Sequence, residues 1–475
     1  MKKGIKLTIG ISAITLLLAS LPTTVAILVF GSDTLYKDTY LAGMKLKRDL
    51  LKETEGKRIV LIGGSSLAFG VRSPLIEKEF PEYKVVNFGL YGALGSECML
   101  DLALPHIKKD DLVILSFEQN AQTLSTYFSA MDMWQAIDDC KDAYWDLDES
   151  DRQAMVPASI AFAQQKLSYQ LSSSAPKGDG AYAYENFNSN GDIDCDIPTG
   201  NALPHRYDPN QLIDFGLSLW EEDFIKEVNE FSKQVSAKGA NTFYWFCPCN
   251  ESALINPWGI DAYYQALSER LSLTILGNPH HSLFDPGYFF DSNFHLNNAG
   301  AINNTKRMVT DLKAELKIAK RTEIEEQPIP SPIVPYVDIE GDNSDLAFFN
   351  VEVDGDAATI KSLTEDGKRK ESLVVPSSFE GKPITRFDVS VFQSNNAIKT
   401  LVLQGNILEI ADFSFTNTTG LTRIELRNPK PSTIQIGSHL LDGTNANLYV
   451  PKESLGAYRS HYFFSAYASR IKALD

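Results

Sequence analysis

Short apolar runs and longer segments of helical spacing take turns along residues 57–317. Residues 58–62, 84–86, 112–117 and 242–246 are compact apolar stretches of the kind that form buried strands. Residues 96–107, 212–236, 262–273 and 299–316 repeat their apolar positions every three or four residues, which predicts helices. Strand and helix in that order predict an α/β fold with a parallel sheet, because a parallel connection needs a crossover long enough to hold a helix. Ahead of this region Tyr36, Tyr40, Met44, Leu46 and Leu50 fall on helical spacing among lysines, so 35–54 is expected to be an amphipathic helix packed on the next domain. From about residue 120 to 210 the rhythm stops and Ser, Asn, Asp, Gly and aromatic residues take over, which reads as an insertion or lid.

A different period governs the C-terminal part. Ile384 recurs as Ile407, Phe387 as Ile410, Phe392 as Phe415, Ile398 as Leu421, Leu401 as Ile424 and Leu403 as Leu426, each 23 residues on (407 − 384 and likewise for the others). A third copy starts at Ile434, delayed by Asn428-Pro429-Lys430-Pro431. A period in this range marks stacked units that bury their faces on one another, so a short β-rich solenoid is expected over residues 346–475. Pro328, Pro330, Pro332 and Pro335 stand among acidic residues just before it, a composition that cannot build a core, and residues 319–345 are expected to be a linker.

At the other end, residues 7–30 form an uncharged apolar run. At about 1.5 Å per residue it is long enough to cross a hydrocarbon layer of about 30 Å. Lys2, Lys3 and Lys6 precede it and Asp33 follows, which puts the N-terminus in the cytoplasm and the bulk of the chain outside. Residues 1–32 are therefore expected to be a tip and transmembrane anchor, with 33–56 a juxtamembrane helix. A cleavable signal peptide is the rival reading, and it too exports the chain.

Composition narrows the partners. A net charge of −17 with no basic stripe excludes a general nucleic-acid binder, which needs cations to displace counterions from phosphates. The cysteines Cys98, Cys140, Cys195, Cys247 and Cys249 have no zinc-site spacing, and no metal or cofactor is expected. Cys140 and Cys195, both within the expected insertion, are a candidate disulfide should the chain lie in an oxidising compartment.

The first strand runs into Gly63-Gly64-Ser65-Ser66-Leu67-Ala68-Phe69-Gly70, which sets two serines at a strand's carboxyl end, where open α/β sheets bind ligands. After the second strand, Asn87-x-Gly89-x-x-Gly92 offers a loop whose N–H groups suit an oxyanion. His295 stands in a polar loop before the last helix with Asp291 four residues earlier, a base and an acid to orient it.

Together these blocks resemble the SGNH (GDSL-type) hydrolase family over roughly residues 57–318, which implies a flavodoxin-like sandwich and an acyl-serine mechanism without metal or cofactor. The resemblance puts Ser66 at the nucleophile, His295 at the base, Asp291 at the acid and Gly92 in the oxyanion hole, with the Ser66 N–H as a second donor. For the side-chain donor it leaves Gln119 and Asn120 open, and Ser292 stands where the family's aspartate is usual. Residues from about 373 onward resemble BspA-type leucine-rich repeats. The expected protein is a membrane-anchored, extracytoplasmic serine esterase or acyltransferase. Its substrates would be acylated cell-envelope glycans or small esters, and its repeats would bind a protein or glycan. The alternative is a surface binding protein whose SGNH domain is weakly active or inactive.

Overall fold

The computed structural model describes residues 25, 27–172, 175–178, 180–193, 200–203, 206–330, 341–411, 413–436, 440–441, 443–461 and 464–474. Most of the expected anchor at 7–30 lies outside these residues; its described end is a single turn, Ile27–Gly31. Among the described residues no helix is long and apolar enough to cross a membrane.

The N-terminal part is built on a parallel sheet of β1 (Lys57–Gly63), β2 (Tyr83–Gly89), β3 (Leu112–Ser116), β4 (Asn241–Trp245) and β6 (Thr274–Leu276). The order β2-β1-β3-β4-β6 is consistent with a flavodoxin-like sheet. A two-residue β5 (Cys249–Asn250) pairs with β7 (Leu283–Phe284) beside it. Alternation along each strand sends side chains to opposite faces. Val60, Ile62, Val113 and Leu115 join a core with Met99, Phe224 and Val228 from helices 96–103 and 222–237. Ile59, Leu61, Ile114 and Trp245 join another with Met308 and Leu312 from helix 298–315. Helices therefore cover both faces, and strands buried on both faces carry the unbroken apolar runs seen in the sequence.

The expected helix at 35–54 is shorter, Gly43–Glu53, and it packs on β2. Its buried Lys47 donates to Asn87 O of β2 and to Gly191 O of the insertion, which ties the three segments together. The insertion is not irregular throughout. It holds a 24-residue helix, Glu149–Ser172, which joins the main core through Met155, Phe162 and Tyr169. Lys166 of this helix meets Asp138 at 2.6 Å, both fully buried. Cys98, Cys140, Cys247 and Cys249 are buried free thiols, and Cys195, the expected partner of Cys140, lies outside the described residues.

The first half of the expected linker lies fastened along the first sheet's domain: the Glu323 N–H donates to Glu79 and the Gln327 N–H to Asn303, at 2.6 and 2.7 Å. Residues 331–340 lie outside the described residues. Beyond them come β8 (Phe349–Asp354), β9 (Ala357–Leu363), β10 (Ser372–Val374), β11 (Ser378–Phe379), β12 (Lys382–Phe387), β13 (Thr400–Leu403), β14 (Glu409–Ile410), β15 (Arg423–Leu426), β16 (Gln435–Ile436), β17 (Asn447–Val450) and β18 (Ile471–Ala473). They form two sheets, β10-β13-β15-β17-β18 and β16-β14-β12-β9-β8, parallel except for the β8–β9 hairpin and the short β11 strip paired with β12. Leu401 stands opposite Ile424 and Phe387 opposite Ile410, which is the 23-residue offset realised as strand register. Leu401, Ile424, Leu448, Phe387 and Ile410 are all buried between the sheets.

Candidate active site

Gly63 and Gly64 bring the chain from β1 into the short helix Ser65–Gly70. Gly63 is required by space, since backbone fills the place of its Cβ, and at Gly64 a side-chain carboxylate does. A Cβ on Gly63 would fall 1.8 Å from Ser116 O, and one on Gly64 would fall 2.0 Å from the Glu118 carboxylate. The end of β3 and the residues just after it therefore lie tightly against the turn.

Ser65, not Ser66, faces the histidine. Ser65 Oγ lies 2.7 Å from His295 Nε2, whereas Ser66 is 1% exposed and its Oγ has no hydrogen-bond partner. Successive residues in a helical turn point about 100° apart, so when Ser65 looks into the cleft Ser66 must look into the protein. The expectation of Ser66 at the site is corrected to Ser65.

His295 is held from three sides. Its Nδ1 is 2.9 Å from Asp291 Oδ1, the Phe69 ring stacks on it at 4.3 Å and 10°, and its backbone N–H donates to Ser292 Oγ at 3.0 Å. Ser292 thus shapes the turn instead of serving as the acid, and Asp291, four residues before the histidine, reaches the imidazole as expected. Tyr182 completes the set: its hydroxyl donates to Asp291 Oδ2 at 2.7 Å and lies 3.2 Å from His295 Nδ1. Tyr182 comes from the insertion, where nothing in the spacing of the sequence singles it out.

Near the expected side-chain donors Gln119 and Asn120, it is Glu118 that reaches the serine turn. β1 and β3 run parallel, their last pair being Gly63 and Ser116, and Glu118 follows two residues beyond the end of β3. Glu118 is 5% exposed; its Oε1 accepts from the Ser66 N–H at 2.9 Å, and its Oε2 has no partner. Gln119 turns away into the core, where Tyr263 donates to its Oε1 at 3.3 Å. Asn120 lines the cleft, but its Oδ1 caps Thr123 N at 2.8 Å, which leaves its Nδ2 as the donor. Gly92 lines the cleft as expected, starting the turn Gly92–Leu94 after β2. The Ser66 N–H, expected in the oxyanion hole, is committed to Glu118.

The resulting cleft has a volume of about 500 Å³ and joins Ser65, Gly92, Glu118, Asp291 and His295 to residues of the C-terminal unit. A hydroxyl, an imidazole and a carboxylate thus stand in hydrogen-bond series at the carboxyl end of a parallel sheet, the order in which a serine, its base and an orienting acid are arranged where a serine acts as nucleophile. No family model matches the chain, and no curated protein does. Among solved structures, the crystal structure of the protein YxiM from Bacillus subtilis is similar at 15% identity, over 55% of this chain and 58% of that one, with a TM-score of 0.25. The chain thus spans little more than half of that protein, and a likeness of this size carries no weight beside the geometry.

Proposed function

We propose that this protein is an extracytoplasmic serine esterase or acyltransferase of the SGNH type, acting on acyl groups of cell-envelope glycans. The observation that carries the reading is the unbroken series Ser65, His295, Asp291, with contacts of 2.7 and 2.9 Å. His295 Nε2 takes the proton of Ser65 Oγ as the oxygen attacks the ester carbonyl, and Asp291 holds the imidazolium that forms. The tetrahedral oxyanion then collapses, the C–O bond to the alcohol breaks, and His295 returns the proton to the leaving oxygen. Water or a sugar hydroxyl attacks acyl-Ser65, His295 takes its proton, and Ser65 is released with that proton. Gly92 and Asn120 are the oxyanion donors nearest to hand.

The glycan substrate and the outward location rest on the family resemblance and on the apolar run at 7–30. The C-terminal unit we read as a BspA-type leucine-rich-repeat solenoid, supported by the 23-residue register of β13 and β15.

The test is labelling of the purified chain with a fluorophosphonate. Wild type and Ser66→Ala are expected to label, and Ser65→Ala to lose the label. Labelling lost in Ser66→Ala but kept in Ser65→Ala would reverse the assignment. A second reading is favoured by Glu118: a carboxyl group occupies the oxyanion side of the cleft, as suits a domain that binds its ligand without turning it over. No labelling in wild type, with glycan binding retained, would select that reading.

A further inference from the structure

The cleft is closed on one side by the C-terminal unit. Thr433, Ile434, Gln435 and His461 line it together with Ser65 and His295. The two units are joined around this edge by several contacts. The Lys177 N–H donates to Gly456 O at 3.2 Å, the His461 ring lies 6.2 Å from that of Tyr182, and Arg459 sits over the Tyr169 ring at 5.2 Å.

Gln435 is the unusual residue of this wall. It opens β16, and its backbone N–H is spent on Leu408 O at 2.7 Å. Its side chain is 4% exposed, yet among the described residues neither the amide oxygen nor the amide nitrogen has a partner. Buried amides are almost always paired, because an unpaired one has lost its hydrogen bonds to water with nothing in return. On the wall of a cleft, a side chain in that state has an unused donor and acceptor to offer a ligand.

The charges of the cleft describe that ligand. Glu118 and Asp291 are its acidic groups, and among the described lining residues there is no lysine or arginine. His461 adds no positive charge near neutrality, because burial lowers its pKa to about 4 against the opposing pull of Asp291. The rest of the polar lining is neutral, with amides at Asn120, Gln122, Asn210 and Gln211 and a hydroxyl at Thr433. An anionic ligand would meet two carboxyl groups and, among the described lining residues, no lysine or arginine. Hydroxyl and amide groups of a neutral sugar chain match the donors and acceptors present.

We propose that the C-terminal unit forms the recognition wall of this cleft, with Gln435 reading hydroxyl or amide groups of a neutral glycan beside the acyl group presented to Ser65. The inference rests on the reading of Ser65 as the acyl carrier, so it is tested by binding alone, on the full chain carrying Ser65→Ala. Tetramers of N-acetylglucosamine, mannose, glucose and galacturonic acid are titrated by calorimetry. At least one neutral tetramer is expected to bind, the galacturonic acid tetramer at least about tenfold more weakly, and Gln435→Leu to lower the neutral affinity by about tenfold or more. Should Gln435→Leu lower the thermal midpoint, the near-isosteric Gln435→Glu is scored in its place with the same expectation. The inference is overturned if no neutral tetramer binds, if the galacturonic acid tetramer binds as well as a neutral one, or if the scored variant binds like its parent. Failure of the acyl-carrier reading shows separately, as absence of Ser65-dependent labelling, and leaves the binding result standing.

Discussion

At the scale of single residues, the most consequential group is Glu118. It accepts from the Ser66 N–H, and its carboxylate lies where a Cβ on Gly64 would fall. A negative charge there opposes the developing oxyanion, while an amide in the same place would donate to it. Glu118→Gln is therefore expected to raise kcat/KM on a small ester by about 10–100-fold, read in a chromogenic ester assay with Ser65→Ala as background. A fall in rate would mean that the carboxyl itself serves the reaction. Tyr182 is the other residue that only contact reveals, since it reaches Asp291 from 109 residues away in sequence.

At the scale of elements, the 23-residue period proved to be a statement about strand register. Leu401, Ile424 and Leu448 stack in successive strands and are fully buried. Truncating the middle member leaves a cavity walled by both neighbours, so Ile424→Ala is expected to cost about 2–5 kcal/mol in urea unfolding of the C-terminal unit. A loss below about 1 kcal/mol would show that the ladder carries little of that unit's stability. The insertion teaches the opposite lesson. Its long helix 149–172 was not evident in the sequence, because Pro157 and scattered polar residues blur the period, and the helix is held instead by packing and by the buried Lys166–Asp138 pair.

At the scale of the whole molecule, acidity shapes stability as well as ligand choice. Asp101, Asp148 and Asp151 each bring an oxygen within 4.8 Å of the others. Burial first, and neighbouring carboxylates after it, raise Asp151 to about 7, and burial raises Asp101 to about 6. The unfolded chain titrates such groups near 4, so between about pH 4 and 7 the folded state holds more protons at these sites. Stability contributed by them therefore falls as pH rises through that window. His461, with its pKa lowered by burial to about 4, works in the other direction between pH 4 and its ordinary value. The expected outcome is that Asp151→Asn raises the thermal midpoint at pH 8 more than at pH 5. Equal effects at both would remove the cluster as the cause.

The sequence by itself determined what depends on local pattern. The strands at 58–62 and 112–117, the loop placing Asp291 and His295 together, and the repeat offset of 23 are all set by residue type and spacing, and each reappears in the structure. Tertiary structure alone decided what depends on direction and on contact between distant segments. Which of two adjacent serines faces His295 is a matter of 100° of helical rotation, invisible in the letters Ser65-Ser66. That Glu118, past the end of β3, accepts from the Ser66 N–H is likewise a contact across 52 residues. The arrival of Tyr182 from the insertion and of Gln435 from the repeats follows from long-range packing, which no local pattern records.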